Sequence, residues 1–156
     1  MAVQTLTSTV FDRLPKTVQI GNVTVGGSFA QGATTNTLSD VIFLAKIPHG
    51  ALIVDILCDH TTAQTAMGIK YGLATGTAAG GGASSSCFTA AVAKATKTRI
   101  TAMGNNTAGV PVRISVSDSD PNRYGIFAAT IVSGTTTDSY AINFSITYRV
   151  DEANNP

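Results

Sequence analysis

Tryptophan is absent, glutamate occurs once, cysteine and histidine occur twice each, and charged residues make up only 12% of the 156 positions. The charged share is about half of the roughly 25% usual in a globular chain. No basic block or stripe stands out, and the formal net charge is +1. Phosphate-rich partners are drawn by clustered Lys and Arg, so nucleic acid is not an expected partner. No apolar run approaches the ~20 residues that span a bilayer as a helix. The opening MAVQTLTSTVF lacks the basic start and apolar centre of a secretory signal, so a soluble protein made in a cytosol is expected, with no membrane partner. Two cysteines are too few for a disulfide framework. Cys58 alternates in phase with Leu52, Val54 and Ile56, which reads as a buried thiol rather than half of a bridge.

The same scarcity limits chemistry. His49 lies in a Pro-His-Gly turn and His60 follows Asp59 at a strand end. Asp55, Asp59 and His60 invite a metal reading. Four residues along a strand span about 13 Å, so the two carboxylates cannot share one ion without a bend. The only glutamate, Glu152, sits in a polar tail, and Asp118 and Asp120 belong to SDSDPNR, a turn fixed by Pro121. No G-x-S-x-G is present, and Ser84 to Ser86 sit in a low-complexity stretch that is a poor support for a nucleophile. Gly80, Gly81 and Gly82 are not followed by the Lys that a phosphate loop requires. Three Asn-x-Ser/Thr triplets, at Asn22, Asn105 and Asn143, have no secretory context to give them meaning. No catalytic, cofactor-binding or metal-binding residue is nominated, no cofactor is expected, and the chain is read as a non-enzyme.

What is present is threonine, serine, small apolar residues and alternation. The clearest segment is 140–150, where Tyr140, Ile142, Phe144, Ile146, Tyr148 and Val150 alternate with Ala141, Asn143, Ser145, Thr147 and Arg149. Period two over that length would scatter around a helix but lines one face of a strand. Tyr124, Ile126, Ala128, Thr130 and Val132 share a parity, as do Met67, Ile69, Tyr71 and Leu73, and also Val110, Val112, Ile114 and Val116. Pro111 would place that last strand at an edge or at its own start. Residues 41–47 are apolar at nearly every position, which reads as a strand buried on both faces. In residues 51–59, Leu52, Val54, Ile56 and Cys58 share one face, with Ile53, Asp55, Leu57 and Asp59 on the other. Residues 17–25 change phase around Gly21-Asn22, which suggests two short strands and a tight turn, or a bulge. Residues 26–37 read as a Gly/Ser/Thr-rich loop and 74–86 as a second, low-complexity loop. In the stretch from Cys87, the spacing of Phe88, Ala91, Val92 and Ala95 fits a short helix, with 96–101 more strand-like. The expected fold is all-β: one β-sandwich or jelly-roll-like domain over 17–156, an N-terminal arm over 1–16, and one short helix.

The order of several pieces adds to this. Ile47-Pro48-His49-Gly50 closes one strand, ALIVDILCD ends an aliphatic strand in Asp, MGIKYGLA precedes a Gly/Ser-rich stretch and an Ala-rich segment, and the chain closes on ITYRVDE. Over residues 40–152 this resembles the small head decoration, or cement, proteins of tailed bacteriophages. The resemblance implies a β-sandwich on the outer capsid surface of a virion, bound to the major capsid protein and self-associated as a trimer or dimer. It implies decoration or stabilisation of the lattice and no catalytic residue. A receptor- or glycan-binding module of a phage fibre or spike is the alternative, weakened by the lack of Trp for stacking on sugars. The arm lies outside the resemblance. Its apolar residues Val3, Leu6, Val10, Phe11 and Leu14 are the candidate partner contacts. Burying such side chains gives about 1.5–3 kcal/mol each, while ordering backbone costs about 1–2 kcal/mol per residue. The arm is therefore expected to order only where it also gains backbone hydrogen bonds, as an added strand does.

Overall fold

The structure, a computed structural model, describes residues 5–13, 21–32, 39–60, 68–74, 92–93, 99–101, 113–114, 124–133 and 140–150. Its organising element is the C-terminal strand. The residues Tyr140, Ile142, Phe144, Ile146 and Tyr148 are all buried, and the intervening ones face outward. The described strands are β1 (Thr5–Thr7), β2 (Asn22–Gln31), β3 (Val41–Pro48), β4 (Leu52–His60), β5 (Gly68–Ala74), β6 (Val92–Ala93), β7 (Arg99–Thr101), β8 (Tyr124–Ser133) and β9 (Tyr140–Arg149). No helix occurs among the described residues.

The pairing is nested. β2 pairs with β9, β3 with β8, β4 with β7 and β5 with β6, all antiparallel. One long two-stranded ribbon is thus wound up so that β9 also lies against β4 and β8 against β5. Winding such a ribbon gives a jelly roll. One sheet has the order β2-β9-β4-β7 and the other β1-β3-β8-β5-β6. Between them lies the main core, built from Ile53, Ile56 and Cys58 of β4, Ile69 and Tyr71 of β5, Phe127, Ala129 and Ile131 of β8, and the apolar face of β9.

The second sheet is apolar on its other face too. Val41 and Phe43 of β3 and Ile126 and Ala128 of β8 form a separate buried cluster there. This explains why 41–47 is apolar almost throughout. It also shows what alternation hides. In β8, Tyr124, Ile126 and Ala128 of the expected apolar parity supply that outer cluster. The opposite parity, Phe127, Ala129 and Ile131, enters the main core.

Register shifts occur at three places among the described strands, in β4, in β3 and where Gly68 and Ile69 of β5 meet β8, and the first two change phase where sequence parity cannot. In β4 the register slips between Ile53 and Asp55, so Val54 is an extra residue and is 41% exposed, while Ile53 is fully buried. The bulge therefore reverses the expected placing of these two residues. In β3 the slip between Phe43 and Ala45 lets Leu44 and Ala45 both face the core.

Two further expectations change. Residues 26–31 are strand, not loop: β2 runs unbroken along β9, from Asn22 opposite Arg149 to Gln31 opposite Tyr140. The ladder to an apolar neighbour supplies the hydrogen bonds and burial that a Gly/Ser-rich composition does not advertise. Gly21 (φ 104°) takes the left-handed conformation expected of a turn, and residues 17–20 lie outside the described set. Val92 and Ala93, expected in a helix, are extended as β6; the rest of that proposed helix lies outside the described residues. Of the expected strand 110–116, only Arg113 and Ile114 are described. Arg113 bridges to Leu52 and its Nη1 donates to the Gly50 carbonyl at 2.7 Å, while Ile114 is buried.

Tyr71 and Tyr140 place phenols inside this core. Burial pushes the Tyr71 pKa well above its usual 10.0, helped by Cys58, which is hydrogen-bonded to it, and by Tyr140. Burial also raises Tyr140, with the charge of Asp40 adding to it. A raised folded-state pKa means that the stabilisation is fully present below the unfolded value and is lost as pH rises beyond it. Urea unfolding should show stability falling above about pH 10, by about 1.4 kcal/mol per pH unit for each buried phenol. Tyr71→Phe should lessen that slope; an unchanged slope would show that Tyr71 ionises freely in the folded chain.

Candidate functional site

The histidines and carboxylates that could support chemistry are dispersed. His49 is half-buried in the turn after β3, and His60 pairs with Ile142 at the end of β4. The Asp55 carboxylate accepts the Ile56 backbone N–H at 2.9 Å. Asp59 lies opposite Asn143, four residue pairs beyond Asp55, on the outer face of the first sheet. Among the described residues, no three His, Cys, Asp or Glu side chains form a cluster suited to a metal. Cys58 is buried in the core, and Cys87 lies outside the described residues.

The geometry with interaction potential is surface geometry. The outer face of the first sheet carries Asn22, Thr24, Gly26 and Ser28 from β2, with Asn143, Ser145 and Thr147 from β9 beside them. Along β2 these groups are small and uncharged, and the Thr24 and Thr147 hydroxyls meet there at 2.9 Å, while Arg149 opposite Asn22 and Asp55 and Asp59 on β4 place charges of both signs on the same face. A shallow cleft of about 410 Å³ opens on it between β4 and β9, lined by Leu57, Asp59, Asn143 and Ser145 together with Cys58 and Phe144. Sequence parity places those four side chains outward, but nothing in the sequence brings 57–59 beside 143–145.

The N-terminal segment is built onto the domain. Thr5, Leu6 and Thr7 pair parallel with Val41, Ile42 and Phe43, adding β1 to the second sheet. The backbone hydrogen bonds that the arm was expected to need are therefore made within its own chain. The Ser8 N–H donates to the Phe43 carbonyl at 2.8 Å, and its hydroxyl donates to the carbonyl of Leu44, the residue the β3 bulge leaves without a rung on β8. The segment then crosses to the other sheet, where the Thr9 N–H donates to the Ser28 carbonyl of β2 at 3.0 Å.

Of the candidate contacts, Leu6 packs on the main core and Val10 is buried within it. Phe11 packs on the outer cluster, 5.3 Å from the Phe43 ring. Lys46 Nζ lies 4.8 Å from the Phe11 ring centre and 5.0 Å from that of Tyr124, so a cation sits between two aromatic faces. Val3 and Leu14 lie outside the described residues. No sequence signal links positions 11, 46 and 124; only the pairing of β3 with β8 and the return of the arm brings them together.

No protein-family model matches the sequence, and no curated protein sequence matches it. Solved structures do share its fold. A chain in the capsid of Ralstonia phage GP4 superposes with a TM-score of 0.65 at 13% identity, covering 94% of this chain and 98% of that one. A chain in the capsid asymmetric unit of cyanophage Pam1 gives a TM-score of 0.54 at 15% identity, covering 83% and 85%. At these identities the likeness is one of architecture, and it extends over nearly the whole of both chains: the wound β-sandwich of this protein is a fold also found among the chains of two phage capsids.

Proposed function

We propose that the chain is a structural protein of a bacteriophage virion that binds the outer capsid surface, contacts the major capsid protein, and decorates or stabilises its lattice as a self-associated unit. The observation that carries this reading is the end-to-end likeness to a chain in the Ralstonia phage GP4 capsid, matched over 98% of its own length. That neighbour is itself about one sandwich in size, as expected of a small module repeated on a shell. The outer face of the first sheet, small and uncharged along β2 with Arg149, Asp55 and Asp59 as charges beside it, is compatible with broad contact to a protein lattice.

The test is cosedimentation of the purified protein with heads that lack it. Saturable binding at a fixed ratio to the capsid subunits is expected; no binding at any salt concentration overturns the reading. The second reading, a glycan-binding module, requires exposed aromatic platforms. The described aromatics nearest the surface, Phe11 and Tyr124, are half-buried and flank Lys46. Reproducible hits on a glycan array would favour it over capsid binding.

A further inference from the structure

Among the described residues the two sheets present four lateral edges, and these are not alike. β1, β6 and β7 are two or three residues long among the described residues, whereas β2 has ten. Sheets protect their edges with short strands, charges, proline or bulges, because an open row of N–H and C=O groups pairs with any matching strand. β2, NVTVGGSFAQ, has no charge and no proline, and its register with β9 is unbroken.

The direction of its open groups can be read from one rung. The Ser28 carbonyl accepts from Thr9 N–H at 3.0 Å, and the Ser28 N–H donates to Thr9 Oγ1 at 3.4 Å. Ser28 therefore turns its backbone away from β9. Antiparallel alternation turns the N–H and C=O of Asn22, Thr24 and Gly26 the same way. Among the described residues nothing pairs with this run, which is bounded by the Gly21 turn at one end and by Thr9 on Ser28 at the other, and its midpoint is Thr24.

We propose that this edge pairs antiparallel with the same edge of a second copy of the chain, about a two-fold axis at Thr24. The inference deepens the self-association in the proposed function and is independent of capsid binding. The run is complementary to itself. Thr24 meets Thr24, and Asn22 meets Gly26, so every opposed pair turns its hydrogen-bonding groups inward to the seam. On the core side, the half-buried Val25 gains cover from Val23 of the second copy. The exposed side chains are small and uncharged, so no like charges oppose one another, and a net charge of +1 adds little repulsion. Two copies become one continuous sheet of eight strands.

The experiment is light scattering over a concentration series on the whole chain and two variants, with far-UV circular dichroism to confirm the fold. Thr24→Pro removes an N–H that points away from β9, so the ladder within the chain is kept. Thr24→Lys sets two like charges together at the axis. The expected result is twice the chain mass for the unmodified protein, the monomer mass for folded Thr24→Pro, and for Thr24→Lys a monomer at low salt that recovers dimer as salt is raised. A monomeric unmodified protein, an odd-numbered assembly, or dimers kept by both variants overturns the proposal. If Thr24→Pro fails to fold, Thr24→Lys decides alone. Cosedimentation of the same variants reads capsid binding separately.

Discussion

Truncating Phe127 to alanine should lower the free energy of unfolding by about 3–5 kcal/mol. Phe127 is fully buried and belongs to β8, the strand that is apolar on both faces. Its ring stacks on Tyr71 of the neighbouring strand, with centroids 6.1 Å apart, and meets the edge of Phe144 in the facing sheet at 6.0 Å. It therefore joins β8 to β5 within one sheet and to β9 across the sandwich. The cost has two parts: the lost transfer of the ring from water, and the cavity left behind. Backbones held by ladders on both sides cannot close that cavity. Val54→Ala is the internal control, because Val54 is turned outward by the β4 bulge, and a change within about 0.5 kcal/mol is expected there. Urea titration of both variants measures the contrast. A loss below 1 kcal/mol for Phe127→Ala would mean that the sandwich collapses around the site, so that packing across the two sheets is not rigid.

How far these placements can be read from the sequence depends on whether a strand has one dry face or two. β9 has one, and its alternation is legible residue by residue. β8 has two, so parity alone could not say which face enters the main core, and Ala128 and Ala129 are too alike to break the tie. In β4, one extra residue at Val54 reverses the phase of Leu52 and Ile53 relative to Ile56 and Cys58. A bulge has no compositional mark in such a uniformly aliphatic run. β2 was hidden for a different reason. Gly26, Gly27 and Ser28 look like loop residues, yet they are held in a ladder by β9, more than a hundred positions away, and Gly27 is small because something lies across it.

The surface features are less legible still. The Phe11–Lys46–Tyr124 arrangement, the cleft between β4 and β9 and the open edge of β2 each depend on which strands become neighbours. The nested pairing that decides this is set by the whole chain at once. The arm was legible as a set of apolar residues that need a strand partner. That β3 of the same chain supplies the partner was not, because the bulge that turns the Leu44 carbonyl towards Ser8 is invisible in the sequence.

The second large effect is expected at the crossing of that arm. Val10 is 5% exposed and lies over Gly27: a Cβ added to Gly27 would come 2.6 Å from Val10 Cγ2 and 3.2 Å from the Phe144 ring. Val10→Asp places a carboxylate in this apolar site. An unpaired buried charge costs several kcal/mol, more than the ~0.5–1.5 kcal/mol net from each of the few hydrogen bonds holding the segment. The segment should therefore leave rather than bury the charge. The loss then includes Val10 burial, about 1.5–3 kcal/mol, and the contact of Phe11 with Phe43 and Lys46, so a total of about 2–4 kcal/mol is expected. Trypsin digestion gives an independent readout, since release of the segment should speed cleavage after Arg13. Gly27→Ala should act in the same direction without a charge, because its methyl group and Val10 cannot occupy the same space. Release also removes Thr9 from Ser28, so the open edge of β2 lengthens beyond Gly26, and Val10→Asp should self-associate more strongly than the unmodified chain at equal concentration. Unchanged stability together with a protected Arg13 would show that Val10 does not hold the segment. Faster cleavage without stronger association would show that Thr9 does not limit the edge.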